Sequence, residues 1–443
     1  MNATVIIFFV VYLLILLFRR YQLLVAWAGV LVLLLLKLIP PKVALFSINP
    51  NVLAIFIATS LITALLYEVG FIDYVATHTI NLIAVRIRNP VRLRVYVMLT
   101  LVALTGIISS FMENVATIML LYPVGLEVSK KLKVNPSLLL IGMSVAANLQ
   151  GSALLIGDSP SILTAVFAKM DFFDFFFLKA MKYRPSLFFA VQLGFIFGLL
   201  VLYLIFKDSM KRTEHFEIKE FVREKGIRSI APFFIFACYV MALIFSSFIK
   251  NKPTNYIVYI CAFFIVVSVV WTLVFFNRRV EEEIDLLKHI DFQTFFFLIA
   301  VFILVGSLSY SGFIDSLANW FVSASKRLGS NPILIGYFLI VAVSMVVSAF
   351  VDNIPYTMAM LPVAKSMADS LGVNMYLFIF GMLLGTTIGG NITPIGSLSN
   401  VTILGVLKRN NFEHSFWTFA KVGLPFTLVS LAVSSGFIYL IYR

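Results

Sequence analysis

Apolar runs close to twenty residues long recur along this 443-residue chain, and nothing else in it limits the possible folds so sharply. A run of that length crosses the ~30 Å hydrocarbon core of a bilayer as one α-helix. The residues are 61% hydrophobic and only 12% charged, where a soluble protein carries roughly 25% charged residues. The chain reads as an all-α polytopic membrane protein.

The spans fall at about 4–18, 21–39, 51–69, 136–150 with 161–178, and 185–206. A second set follows at about 229–249, 254–277, 292–308, 375–389 with 400–407, and 423–441. Two more apolar stretches, about 94–131 and 332–372, are broken by Glu113-Asn114 and Asp352-Asn353 and read as re-entrant hairpins. The mixed-charge segment 207–228 reads as a cytoplasmic linker helix between a first unit, 1–206, and a second, 229–443. Val5 to Phe18 is followed, not preceded, by Arg19-Arg20. That order is the reverse of a cleaved signal peptide, so the run is read as a retained span.

Loop charges set the orientation. With the N-terminus outside, 22 of the 34 Lys and Arg residues lie on the cytoplasmic side, which favours a cell-membrane protein with both termini outside. The net charge of +13 has the same origin. No basic stripe with interleaved aromatics points to nucleic acid. Cys238 and Cys261 fall inside spans without CxxC spacing, so they are assigned to packing rather than to a disulfide or zinc site. Phe172–Phe177 reads as an interfacial or lipid-facing band, and the four histidines lack ligand spacing.

The chain also resembles itself. Residues 111–161 align without a gap onto 350–400, with about fourteen of some fifty positions identical. Asn114 matches Asn353, Pro123 matches Pro362, Asn135 matches Asn374, Gly151 matches Gly390, Gly157 matches Gly396, and Glu113 matches Asp352. Upstream, Gly70-Phe71-Ile72-Asp73 recurs as Gly312-Phe313-Ile314-Asp315. Five spans in each unit is an odd number, so the second copy enters the membrane inverted. Inverted repeats with broken helices at corresponding positions point to a transport site near the midplane. An old duplication kept for packing explains matched glycines, but explains poorly a matched acid–Asn pair within each apolar stretch.

Candidate site residues cluster at these breaks. Gly151 to Pro160 and Gly389 to Ser397 interrupt helices with glycine and proline, and irregular backbone survives in a membrane only where protein or a cavity encloses it. Glu113, Asp158 and Asp352 are the acids set deepest in apolar sequence; such a carboxylate marks an ion path or proton relay, or else caps the helix that follows. Asn114 and Asn353 offer a carbonyl and two N–H donors at the hairpin tips. Thr117, Ser159, Thr357, Asn391, Thr393, Ser397 and Asn400 add neutral oxygens beside Gly157, Gly390 and Gly396, with Asn148 and Ser152 as further members in the first unit. The three acids are expected to converge on one site, where their charges favour a cation or proton over a dianion.

The tips Glu113-Asn114-Val115-Ala116-Thr117 and Asp352-Asn353-Ile354-Pro355-Tyr356-Thr357, with Gly389 to Asn400, resemble the ion-transporter superfamily. It includes arsenite permeases, NhaD-type sodium–proton antiporters, the melanosomal P protein, citrate–metal transporters and divalent-anion:sodium symporters. The resemblance implies a dimerising scaffold, a mobile domain carrying both hairpins, and elevator-like alternating access. It places the ion and substrate site at Glu113-Asn114, Asp352-Asn353, Gly157-Asp158-Ser159 and Asn391 to Ser397, with sodium a possible passenger at the tips. Ser152, Leu154, Ser159 and Ser161 depart from the family, which usually has a second Gly or Ala, Thr, Pro and Asn there.

These readings converge on a secondary active transporter driven by a proton or sodium gradient, without a cofactor, exchanging a cation or a neutral acid such as arsenite. Sodium-coupled dicarboxylate, citrate or inorganic-anion transport is the alternative. A channel is the rival of another class, though paired broken helices suit alternate exposure better than a continuous pore. Neither a GxxxxGK[ST] nucleotide loop nor the HExxH and GxSxG signatures of enzymes occurs. If the orientation holds, cysteines placed in 207–228 stay shielded from impermeant thiol reagents in intact cells and a cysteine at Asn2 is labelled; labelling of the linker from outside would overturn it.

Overall fold

The computed structural model describes residues 3–87, 89–210, 226–253, 255–275, 291–412 and 415–443. Most of the expected linker helix, together with His215, His289 and His414, lies outside the described residues. Nineteen α-helices carry nearly all of the described chain, joined by short 3-10 turns and one two-stranded antiparallel pair, Phe177–Leu178 with Arg184–Pro185.

The first ten helices are α1 Ala3–Leu17, α2 Gln22–Leu35, α3 Pro41–Ser47, α4 Pro50–Glu68, α5 Phe71–Arg86, α6 Pro90–Ser109, α7 Asn114–Lys131, α8 Pro136–Gly151, α9 Ser159–Phe167 and α10 Leu187–Ser209. After the linker come α11 Ala231–Ser246, α12 Tyr256–Phe275, α13 Phe292–Tyr310, α14 Phe313–Leu328, α15 Pro332–Ser348, α16 Asn353–Leu371, α17 Met375–Gly389, α18 Leu398–Arg409 and α19 Phe416–Tyr442. Among the described residues six are long and apolar enough to cross a membrane: α4, α6, α10, α12 through Val274, α13 and α19. The expected spans α1 and α2 are shorter, at 15 and 14 residues. Conversely, α6, expected as a hairpin arm, has spanning length at 20 residues.

Matched sequence folds into matched local structure. Gly70 and Gly312 sit before α5 and α14 with φ of 73° and 74°, a left-handed conformation that costs any other residue energy. Asn135 and Asn374 cap α8 and α17 by accepting bonds from Ser137 N and Tyr376 N at 2.9 and 3.0 Å. Pro123 and Pro362 lie inside α7 and α16, where each removes one helical amide donor.

Packing sorts the helices into two groups. One comprises α1–α4 with α11–α13; the other comprises α6–α10 with α15–α19. Helix α5 links α4 to α6 and α7, and α14 links α13 to α15 and α16. The groups meet where α4 touches α9 and where α13 touches α16. Beyond α9, Asp171 binds Lys179 at 2.5 Å, Lys252 at 2.7 Å and the Tyr256 hydroxyl, tying the α9–α10 loop to the start of α12. Burial raises the Asp171 pKa, but these three donors outweigh it and hold the carboxyl below its usual range. Two expectations fail here. Within the run expected to form an interfacial or lipid-facing band, Phe172 and Phe175 are buried instead, while Phe173, Phe176 and Phe177 are half-buried. Of the cysteines only Cys261 packs inside; Cys238 is exposed on the outer face of α11.

Helices α10 and α19 approach closely because Gly194 has no side chain: a Cβ there would stand 2.8 Å from the Ser430 carbonyl. Gly194→Ala should cost about 1–3 kcal/mol, read as a lowered Tm in detergent. At Gly405 in α18 no neighbour lies within 4 Å of where a methyl would stand, so Gly405→Ala should be neutral or stabilise by roughly 0.5–1 kcal/mol through helix propensity.

Candidate functional site

Each hairpin tip is built the same way. The chain leaves α6 at Ser109, turns through 110–113, and re-enters a helix at Asn114; the second tip runs from Ser348 to Asn353. Glu113 caps α7 by accepting from Val115 N at 2.8 Å and Ala116 N at 3.1 Å. Asp352 caps α16 by accepting from Ile354 N at 3.2 Å. Both acids therefore satisfy amides that a helix start leaves unpaired. The hydroxyls of Ser109 and Ser348 donate to the carboxamide oxygens of Asn114 and Asn353, at 2.8 and 2.6 Å.

The tips press against the breaks in α8–α9 and α17–α18. A Cβ on Gly151 would collide with the Asn114 carboxamide oxygen and lie 2.9 Å from Asp158 Oδ2; one on Gly390 would be 3.2 Å from the Asn353 oxygen. Gly157 abuts the Gly151 and Ser110 carbonyls, and Gly396 abuts that of Gly390. Asp158 caps α9 through Ser161 N at 2.9 Å, and its counterpart Ser397 caps α18 through Ser399 N at 3.3 Å. Carbonyls freed by the breaks are recovered locally: Ser161 donates to Gly151 O at 3.2 Å, while Asn400 donates to Gly390 O at 2.9 Å and Thr393 O at 3.1 Å.

Between the two breaks runs a buried polar network. Asn148 on α8 donates to Asn391 Oδ1 at 2.7 Å and Asn400 Oδ1 at 3.2 Å. Its own oxygen accepts from Ser397 at 2.9 Å and Ser399 at 2.7 Å. Ser144 donates to Asn400 at 2.7 Å, and Asn391 donates to Val145 O at 3.1 Å. Asn391, Ser397 and Asn400 thus spend their polar groups holding two helices together. Thr117 bonds back to the Glu113 carbonyl at 3.1 Å and Thr393 bonds to Ala349 O. Thr357 is fully buried, and its hydroxyl has no partner among the described residues.

A cavity of about 520 Å³ opens beside the first tip. Its walls are α4 (Phe56, Thr59, Ser60, Thr63, Ala64, Tyr67), the tip and α7 (Met112 to Pro123), the first break (Ile156 to Ser159) and Asp291. Glu113, Asp158 and Ser159 all line it. Asp352 does not: it borders a separate small recess with Tyr12 and Gln22, since the second tip packs against α1 and α2. The expected convergence of three acids is therefore corrected to two, with Asp291 as a third that the sequence reading missed. Asp158 Oδ2 is buried beside the Asn114 carboxamide without a well-formed hydrogen bond, and none of the described Lys, Arg or His side chains lines the cavity. Nor do any three of their acid, His or Cys side chains gather as a metal-ligand set, so these carboxylates are spread around the wall. A second cleft, about 380 Å³ and mostly apolar, lies between α3, α4, α9, α13 and α16 and includes Met358 and Pro362.

Asn148 carries the largest share of the network. Asn148→Ala leaves Asn391, Ser397 and Ser399 short of partners in a buried interior, which should cost about 2–4 kcal/mol, seen as a lower Tm than that of Asn114→Ala.

Known proteins resemble this chain in sequence or in fold. An uncharacterized transporter of Mycobacterium tuberculosis is 28% identical over 400 residues, covering 89% of this chain and 87% of its own. The P protein of Sus scrofa is 23% identical across 89% of this chain, which spans about half (53%) of that protein's length. Among solved structures, the YdaH transporter of Alcanivorax borkumensis matches with a TM-score of 0.58 at 13% identity, over 88% of this chain and 84% of that one. MtrF of Neisseria gonorrhoeae matches at 0.59 and 11% identity, over 90% and 82%. The model of the citrate transporter family, CitMHS, matches residues 12–385. With its apolar helices, paired tips and broken helices, the chain is an integral membrane transporter of the ion-transporter superfamily and belongs to the CitMHS citrate transporter family.

Proposed function

We propose that the chain is a secondary active transporter that carries a cation, or a neutral acid such as arsenite, in exchange for protons. The observation that carries this reading is the cavity beside the first tip, where Glu113, Asp158 and Asp291 face a space of about 520 Å³ and no basic side chain of the described residues lines the wall. Carboxylates in a cleft of low dielectric repel a free polyanion and stabilise a cation or a proton. Glu113, whose two amide bonds both fall on Oε2, keeps Oε1 for a proton and is the proton-exchanging group, and Asp158 Oδ2, beside the Asn114 carboxamide, is the cation contact.

In this reading the helices α6–α10 and α15–α19 form the moving domain, and α1–α4 with α11–α13 form a scaffold through which two copies dimerise. The two repeats are inverted, and translocation is elevator-like. The cavity lining follows α4 to its last turn, and just beyond that turn Arg228 N, just past the linker, bonds to Val69 O at 3.1 Å. With both termini outside the cell membrane, that end is cytoplasmic and the conformation faces inward.

The family's description, citrate transporter, favours citrate as the substrate, and sodium-coupled carriage of citrate or a dicarboxylate is the alternative. Transport by the purified protein in liposomes, with imposed pH and sodium gradients, separates the two. Glu113→Gln should abolish the pH dependence of flux while part of the substrate exchange survives. Sodium-driven citrate or succinate uptake that is indifferent to Glu113→Gln would refute the cation–proton reading.

A further inference from the structure

The acids of the cavity sit on two different bodies. Glu113 and Asp158 belong to the helices that carry the tips and breaks, whereas Asp291 directly precedes α13 in the other group. The cavity runs along α4 from Phe56 to Tyr67, the last turn of that helix. Helix α13 starts beside this end, so Asp291, which is exposed, stands at the mouth. Asp158 is only 3% exposed, with Oδ2 lacking a well-formed hydrogen bond. The nearby cation Arg228 faces Glu68 at 3.7 Å and is not part of the lining. A carboxylate at the mouth of a low-dielectric cleft focuses the field and raises the local concentration of cations without ligating them.

Asp291 also has a structural task. One carboxylate oxygen accepts from Thr294 N at 2.8 Å and the other from the Thr294 hydroxyl at 2.5 Å, capping α13. Asparagine caps about as well as aspartate, so Asp291→Asn removes the charge and leaves the cap.

We propose that Asp291 is a cation-selecting entry residue for the Glu113–Asp158 cavity, acting only at the face where α4 ends and α13 begins. The proposal rests on the cation reading of that cavity. Because Asp291 belongs to the helix group that does not carry the tips, a cation arriving from the opposite face reaches Glu113 and Asp158 without passing it.

The test reads the field in the cavity directly and needs no knowledge of the substrate. In a background with Cys238 and Cys261 changed to Ser, Ser60→Cys places a thiol in the wall. Its reaction rates with a cationic and an anionic methanethiosulfonate are compared in the purified protein. The cationic reagent should react faster, and Asp291→Asn should lower the rate ratio about tenfold, as expected for one charge at cavity distances. Asp291→Glu should restore it. A parent ratio with no cation preference sinks the cation reading itself. A parent preference that survives Asp291→Asn overturns the role of Asp291 alone. In liposomes of one orientation carrying out sodium–proton exchange, Asp291→Asn should raise the sodium KM several-fold at this face and leave kcat and the opposite-face KM unchanged. An equal rise at both faces overturns the sidedness. Loss of stability in Asp291→Ala but not in Asp291→Asn, with no change in rate ratio, would reduce the residue to a helix cap.

Discussion

A helix that stops inside hydrocarbon leaves unpaired carbonyls at one end and unpaired amides at the start of the next, and this chain must satisfy both twice. The solution sets everything around the site. Asp158 and Ser397 take the amides of α9 and α18, and Ser161 and Asn400 return donors to the carbonyls of Gly151 and Gly390. Gly157 and Gly396 let each loop fold flat on its own glycine partner, and the hairpin tips complete the enclosure through Asn114 and Asn353. The cavity is what remains between the first enclosure and α4.

The repeats solve one problem with different chemistry. Where the first break offers a carboxylate with one oxygen lacking a well-formed hydrogen bond, the second offers Ser397, whose hydroxyl is committed to Asn148. Polar groups of the second break close the interior by bonding across to α8, while those of the first bond within their own break. The unmatched residues therefore tell more about the working surface than the matched ones, which mainly reproduce a scaffold.

Much of the fold was legible because its signals are local. Glycine, proline and Asx caps announce helix breaks within a few residues, and Gly70, Gly312, Asn135 and Asn374 take the conformations that their matched positions imply. Features that depend on distant packing were not legible. Thr59, Ser60 and Thr63 belong to the wall only because α4 faces a tip some fifty residues later, and Asp291 because α13 begins beside the end of α4. Asn148 aligns with Thr387, so the repeat gave it no emphasis. The two cysteines could not be told apart because a bilayer makes the outer face of a helix as apolar as its inner face. The phenylalanine run misled for a related reason: Phe172 and Phe175 are as greasy in the interior as in lipid.

The paired prolines have a consequence that side chains do not display. Pro123 cannot donate to the carbonyl of Met119, nor Pro362 to that of Met358, four residues earlier in each helix. Met119 and Pro123 both line the acidic cavity, and Met358 and Pro362 both line the apolar cleft. Each chamber thus borders a helical turn in which one main-chain oxygen has lost its amide partner. A scan that truncates side chains one by one leaves that missing backbone pairing untouched, so whatever it lends these two turns is invisible to such a survey.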